Sequence, residues 1–150
     1  MEVSINLRCK KYVAHFLRQK HGHNPLMDKE TSDGIFFLNV LNRQRKEREL
    51  AFSSYGEKVT IHISYRNFER YGGELTKTAM IDFNRYMELR LKQVFVAHME
   101  ALVDIAGFQQ HAAIRLFQQK NGLTDEEWSF YALKKHYQRY LEEQNTLKAA

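Results

Sequence analysis

Apolar residues at helical spacing run through one long stretch of the chain, Glu74 to Gly107. They fall on one stripe of a single helix: Met80, Phe83, Met87, Leu91, Val94 and Leu102. Thr76 is a suitable N-cap, and Gly107 can take the left-handed conformation that ends a helix. The pattern therefore predicts one helix of about 30 residues and roughly 45 Å. The apolar stripe of this helix must be covered by the rest of the chain, by a second copy of the protein, or by both.

The N-terminal segment begins with the alternation of a β-strand. Every second residue from Val3 to Leu7 is apolar, which indicates a strand with one buried face. From Lys10 to His21 the spacing becomes helical, and Gly22 ends that helix. A second helix is expected from Asp33, with Ser32 or Asp33 itself as its N-cap.

Two further strands are predicted after the second helix. Leu50 to Ser54 and Lys58 to Ser64 have the composition of a β-hairpin around Tyr55-Gly56-Glu57. Residues 65–71 predict a short helix that Ser64 caps and that ends at Gly72-Gly73. With the first strand, the hairpin completes a small three-stranded antiparallel sheet in the N-terminal half.

The predicted fold class is α+β, mostly α, with this sheet, one long central helix and C-terminal helices. A length of 150 residues suits a single domain, 1–150, that buries its own core. The alternative boundary is Gly72-Gly73, which would divide a sheet-containing part, 1–73, from an all-helical part, 74–150.

Composition and charge narrow the function classes. The single cysteine excludes an internal disulfide, and no apolar run is long enough to cross a bilayer, so we expect a cytoplasmic protein without a membrane partner. The net charge of +5 favours an anionic partner. Residues 1–73 carry 13 Lys and Arg against 8 Asp and Glu, whereas residues 74–150 carry 10 against 10. The whole surplus therefore precedes the long helix.

The C-terminal third has the sequence pattern of a helix–turn–helix. An amphipathic helix reaches Gly122, Leu123 can fill the angle between two helices, and Thr124 with Glu127 suits a capping box. Ser129 could cap a separate last helix, so that 125–128 form one short turn. The outward residues of that helix suit phosphates or a major groove: Lys134, Lys135, Gln138 and Arg139. The alternative is two packed helices with a solvated polar face.

Residues 109–141 loosely resemble the helix–turn–helix ends of phage and mobile-element regulators, such as the middle-operon regulator family. The segment SFYALKKHYQRY closes the chain as in small accessory proteins of phages and transposons. Gln118 and Asn121 depart from the pattern, which has alanine and an apolar residue at those positions. The resemblance implies DNA binding by the last helix.

A second basic surface is predicted in the N-terminal half. Its densest part is the polar segment after the second helix, which supplies Arg43, Arg45, Lys46 and Arg48. Lysine and arginine neutralise phosphates with release of counterions. The alternative is a solvated helix face that Glu47 and Glu49 partly neutralise.

Metal and catalytic motifs are missing from the sequence. The histidines are scattered, with neither an HExxH nor a CxxC motif, so we expect no metal and no cofactor. No phosphate-binding glycine loop is present, and Asp82 and Glu88 do not share a helix face. These observations disfavour an enzyme.

The sequence therefore predicts a small DNA-binding accessory or regulatory protein of a phage or mobile element. Its partner would be nucleic acid, expected to be double-stranded DNA, and a homodimer through the long helix would match two half-sites. The alternative is an interaction or oligomerisation scaffold that uses the long amphipathic helix without nucleic acid. An enzyme of unrecognised type is the third hypothesis.

Overall fold

The fold is described from a computed structural model, which covers residues 1–42 and 55–149. The chain forms two compact units, an N-terminal unit, Met1–Leu89, and a C-terminal unit, Arg90–Ala150. The boundary falls within the long helix. The expectation of a single domain stays a prediction.

Two antiparallel strands form the sheet of the N-terminal unit. Strand β1 spans Glu2–Cys9 and strand β2 spans Glu57–Ser64. The buried partners across the ladder are Ile5 with Ile61 and Leu7 with Val59. The alternation seen in the sequence is thereby confirmed, because one face of each strand carries the apolar side chains.

The other edge of β2 is bonded to a short loop segment. The amide of His62 donates to the carbonyl of Pro25 at 2.8 Å, and the amide of Met27 donates to the carbonyl of His62 at 2.9 Å. This parallel bridge at Leu26 adds one residue beside the two strands. The predicted strand Leu50–Ser54 lies outside the described residues, so the three-stranded sheet is not confirmed.

Strand β1 ends at the only cysteine of the sequence, Cys9. Its side chain is fully buried. Burial raises the pKa of the Cys9 thiol to about 12, an effect that Arg18 opposes and Glu57 supports.

Helix α3 begins and ends where the sequence predicts, and helix α1 begins one residue later than the predicted Lys10 and ends as predicted. Helix α1 spans Lys11–His21, and Gly22, at φ 85°, donates its amide to the carbonyl of Arg18. Helix α3 spans Tyr65–Tyr71, and its N-cap Ser64 accepts from the amide of Asn67 at 3.1 Å.

Helix α2, Ser32–Asn42, begins one residue earlier than expected. Thr31 is its cap, because its hydroxyl oxygen accepts a hydrogen bond from the amide of Gly34 at 3.0 Å. The assignment of Ser32 or Asp33 as the cap is therefore wrong. The Asp33 side chain is fully buried instead and takes part in a polar network described below.

The predicted long helix is present. Helix α4 spans Lys77–Met99 and continues as a π-helical segment, Glu100–Ile105. The hydroxyl oxygen of Thr76 accepts from the amide of Ala79 at 3.1 Å, as predicted for the N-cap. Gly107, at φ 75°, follows the π-helical segment.

The buried stripe of this helix differs from the predicted one after Leu91. Its members recur every four residues and are each at most 1% exposed: Phe83, Met87, Leu91, Phe95 and Met99. Val94, placed on the stripe by the sequence pattern, is 43% exposed. In the N-terminal unit the Phe83 ring packs against Phe37 of α2, with ring centroids 5.2 Å apart.

The C-terminal unit is helical. Helix α5 spans Gln110–Lys120, and helix α6 spans Phe130–Ala149 and packs on α5. The ring of Phe95 lies 4.9 Å from that of Phe117 on α5 and 6.5 Å from that of Tyr137 on α6. These edge-to-face contacts form the core of the unit. Among residues 1–42 and 55–149, no helix combines the length and apolar character needed to cross a bilayer.

Candidate nucleic-acid interface

A buried glutamine organises the connection between α5 and α6. The amide nitrogen of Gln118 donates to Asp125 Oδ1 at 3.0 Å and to the carbonyl of Trp128 at 2.9 Å. Its amide oxygen accepts from the Arg115 guanidinium at 3.1 Å. Gln118 is only 6% exposed, so these bonds satisfy a polar group that burial would otherwise penalise. Gln118 therefore fixes the backbone at Trp128.

The connection of residues 121–129 is longer than the turn of about three to four residues in a helix–turn–helix. It contains the short turn predicted at 125–128, where the amides of Glu127 and Trp128 both donate to the carbonyl of Thr124. Ser129 caps α6 as predicted, since its hydroxyl oxygen accepts from the amide of Ala132 at 3.0 Å. The helix–turn–helix itself is not confirmed.

The four residues predicted on the last helix lie on one exposed surface of α6. Lys134, Lys135, Gln138 and Arg139 are all exposed. At 3.6 residues per turn they occupy roughly 140° of the helix circumference. Leu133, which precedes them in sequence, and Tyr137, which lies among them, point to the opposite, buried side. We call these four residues the α6 surface.

An open cavity of about 390 Å³ borders the α6 surface within the C-terminal unit. Lys135 and Arg139, one helical turn apart, line it together with Lys92 of α4. We call these three residues the cationic cluster. The remaining polar and aromatic lining comes from Glu127, Trp128 and His136, and the apolar lining from Ala132 and Leu133.

Charge and burial act together on His136 at this cavity. Its pKa is lowered from the ordinary value, first because the ring is desolvated and then because Lys92 and Arg139 repel a proton. Glu143 acts in the opposite direction. Because the lowered pKa keeps the imidazole neutral at neutral pH, the positive charge at the cavity comes from the cationic cluster.

One carboxylate oxygen at the cavity has no hydrogen-bond partner among the described residues. Glu127 Oε2 is buried, although the residue as a whole is half-buried. The sequence assigned Glu127 to a capping box and gave no role to Lys92 or Trp128. Glu127 and Trp128 belong to the connection that leads into α6, whereas Lys92 is distant in sequence and joins them only through the packing of α4 on α6 within this unit.

The second predicted basic surface is the one in the N-terminal half. Arg43, Arg45, Lys46 and Arg48 lie outside the described residues. Two other lysines of the N-terminal half are ion-paired, Lys10 with Glu88 and Lys20 with Asp33, both at 2.8 Å. These carboxylates offset the positive charge that the sequence assigned to this half.

Asp33 is the centre of a buried polar network in the N-terminal unit. Its Oδ2 accepts from Lys20 Nζ and from His21 Nε2, each at 2.8 Å, and its Oδ1 accepts from the Tyr86 hydroxyl at 3.0 Å. Burial alone would raise the pKa of Asp33, but the hydrogen bonds from His21, Lys20 and Tyr86 outweigh it and hold the pKa well below 3.8. The side chains of Asp33 and His21 are 0% and 9% exposed, so we assign the network to stability.

Metal ligation is not indicated in the described ranges, where no three His, Cys, Asp or Glu side chains are grouped so that they could hold an ion. Half-buried His98 donates from Nε2 to the carbonyl of Ala113 at 2.8 Å. This bond explains His98 as a packing residue of the C-terminal unit.

Comparisons of the chain with protein-family models, with curated proteins and with solved structures gave no match.

Proposed function

We propose that the protein is a nucleic-acid-binding accessory or regulatory protein that holds phosphates with the C-terminal unit. The observation that carries the proposal is the grouping of Lys135 and Arg139 with Lys92 around an open cavity. Two of these cations were predicted from the pattern of α6, and the third comes from a different helix. Converging lysine and arginine side chains are suited to neutralising adjacent phosphates.

The expected binding is electrostatic and therefore depends on salt. Each phosphate neutralised on duplex DNA contributes about −0.9 to the slope of log K against log salt. Three contacts from the cationic cluster give a slope of about −2.7, so affinity falls about 40-fold between 50 and 200 mM salt. Lys134 on the α6 surface would make the slope steeper.

Fluorescence anisotropy with labelled duplex DNA of random sequence tests the proposal. The variant Lys135→Gln/Arg139→Gln should reduce the magnitude of the salt slope by about 2, because it removes two phosphate contacts. The matched control is Lys120→Gln/Lys148→Gln, which removes the same charge from exposed positions of the same unit. Duplex binding that is absent, or that both double variants weaken equally, contradicts the proposal.

The scaffold alternative depends on a free apolar stripe along the long helix. Residues of that stripe from Phe83 to Met99 are buried by the chain itself. A protein partner is favoured instead by two exposed apolar residues near the end of the helix. The exposed fraction is 85% for Ile105 and 44% for Phe108. Under this alternative the protein elutes as an oligomer in size-exclusion chromatography and the anisotropy titration stays flat.

A further inference from the structure

The cavity beside the α6 surface contains more than a phosphate site requires. Cations alone are sufficient to hold a phosphate, whereas the face of an indole ring carries no charge to attract a phosphate and a carboxylate repels it. Trp128 and Glu127 nevertheless lie next to each other on the cavity wall. A volume of about 390 Å³ falls within the range of small-ligand sites, so a group larger than a phosphate can enter.

Trp128 is held in a fixed position. Its amide donates to the carbonyl of Thr124 at 3.0 Å, and its carbonyl accepts from Gln118 at 2.9 Å. Backbone bonds at its amide and its carbonyl hold the residue in the cavity wall before any ligand arrives. An aromatic ring beside cations is the arrangement on which unpaired bases stack.

Glu127 supplies a hydrogen-bond acceptor that the chain does not use. Its Oε2 is buried and has no donor among the described residues, although buried carboxylate oxygens are normally paired. The terminal torsion of a glutamate has a broad profile, so rotation about it can turn the Glu127 carboxylate toward the cavity. A ligand with N–H groups on its edge would satisfy this carboxylate.

We propose that the cavity receives one unpaired guanine of a nucleic-acid strand, a specificity that rests on the proposed function. The ring stacks on Trp128, the Watson–Crick edge donates to Glu127, and the flanking phosphate contacts Lys135 and Arg139. A carboxylate only accepts hydrogen bonds. Guanine presents two adjacent donors on that edge, its N1–H and its N2 amino group. Adenine and cytosine present one amino group, and thymine has a single N–H between two acceptors that the carboxylate repels.

Duplexes that carry a single-nucleotide bulge of G, A, C or T test this specificity with the full-length protein. Trp128 is the only tryptophan of the sequence, so its emission reports stacking directly, while anisotropy gives the affinity. We expect the G bulge to bind at least about tenfold more tightly than the T bulge, as one well-made base contact provides. Its binding should also quench the tryptophan emission.

Three variants and one control variant separate the contributions of the carboxylate and of the aromatic ring. Glu127→Gln should reduce the preference for G over T to within about threefold, whereas the control Glu126→Gln, at the neighbouring exposed carboxylate, should retain it. Trp128→Leu should weaken G-bulge binding about 5- to 150-fold, the range for loss of one stacked base, and leave the fully paired duplex unaffected. Trp128→Phe keeps an aromatic ring and should restore most of the affinity, which distinguishes stacking from misfolding.

The outcomes are distinguishable from those of the general proposal. Salt-dependent duplex binding with equal affinity for all four bulges and unchanged emission overturns the guanine site and leaves phosphate binding standing. Guanosine monophosphate that binds as tightly as the G bulge overturns the assignment to a strand. Absence of binding to every duplex overturns both proposals.

Discussion

Replacement of Asp33 by asparagine tests the polar network of the N-terminal unit. Asparagine keeps one oxygen for the Tyr86 hydroxyl, but its amino group faces the donors of Lys20 and His21. Two hydrogen bonds to a charged group are lost, each worth about 1.5 to 3 kcal/mol. Lys20 is 34% exposed and can recover part of its hydration, so the lower end applies. We expect Asp33→Asn to lower the free energy of unfolding by about 3 kcal/mol.

Urea unfolding followed by circular dichroism at 222 nm measures this change. The control is Glu30→Gln, which removes an exposed carboxylate three residues away in the sequence, and should lie within about 0.5 kcal/mol of the native protein. Hydrogen exchange of the amides in α1 locates the effect, because Lys20 and His21 lie at the end of that helix. An Asp33→Asn variant as stable as the control would refute the assignment of the network to stability.

The pH dependence provides a second check on the same residue. The folded state holds the pKa of Asp33 below its unfolded value of 3.8, so its stabilising contribution is fully present above that value. The contribution is lost as the pH falls through the lower, folded pKa. The stability difference between native protein and Asp33→Asn should therefore be constant from about pH 6 to 8 and narrow below about pH 4. A difference that widens on acidification contradicts the sign.

Three further variants test the packing and the helix ends. Phe95→Ala should destabilise the C-terminal unit by about 3 to 5 kcal/mol, seen as an earlier urea transition in tryptophan emission; an unchanged midpoint would contradict its place in the core. Ser64→Ala should lower the free energy of unfolding, measured by thermal unfolding, by about 1 kcal/mol; an unchanged value would contradict the role of Ser64 as the cap of α3. Gly34→Ala would place a methyl group against the Asp28 carbonyl oxygen and should lower the melting temperature, whereas Gly56→Ala, which meets no atom of the described residues within 4 Å, should not.

The ends of the elements were predictable because short-range chemistry determines them. Ser64 and Thr76 cap helices through hydrogen bonds to amides three residues ahead, and Gly22 takes a positive φ that other residues rarely adopt. Thr31 was not predicted as the cap because three consecutive residues, 31–33, all have side chains that can serve as an N-cap. Their sequence gives no reason to prefer one of them.

The buried side of the long helix was less predictable than its length. Val94 and Phe95 are both apolar neighbours, about 100° apart around the helix axis. Which of them is buried depends on where Phe117 and Tyr137 arrive from helices that follow much later in the chain. The periodicity of apolar residues within the helix does not depend on those partners, so it cannot predict which of the two residues is buried.

The candidate interface was predictable on one helix only. The exposure of Lys135 and Arg139 follows from the apolar spacing of α6, which the sequence displays. The contribution of Lys92 depends on tertiary packing within the C-terminal unit. Gln118, noted as a departure from the helix–turn–helix pattern, forms hydrogen bonds that hold in place a connection longer than the turn of that motif.

The burial of Cys9 makes it a natural chemical probe of the N-terminal unit. Its side chain is 0% exposed, and its high pKa keeps the thiol protonated at neutral pH. The thiolate is the nucleophile that attacks alkylating reagents, so these reagents can modify the native chain only during excursions that separate β1 from its neighbours. The rate of Cys9 alkylation therefore measures how often this strand opens, and no engineered label is needed.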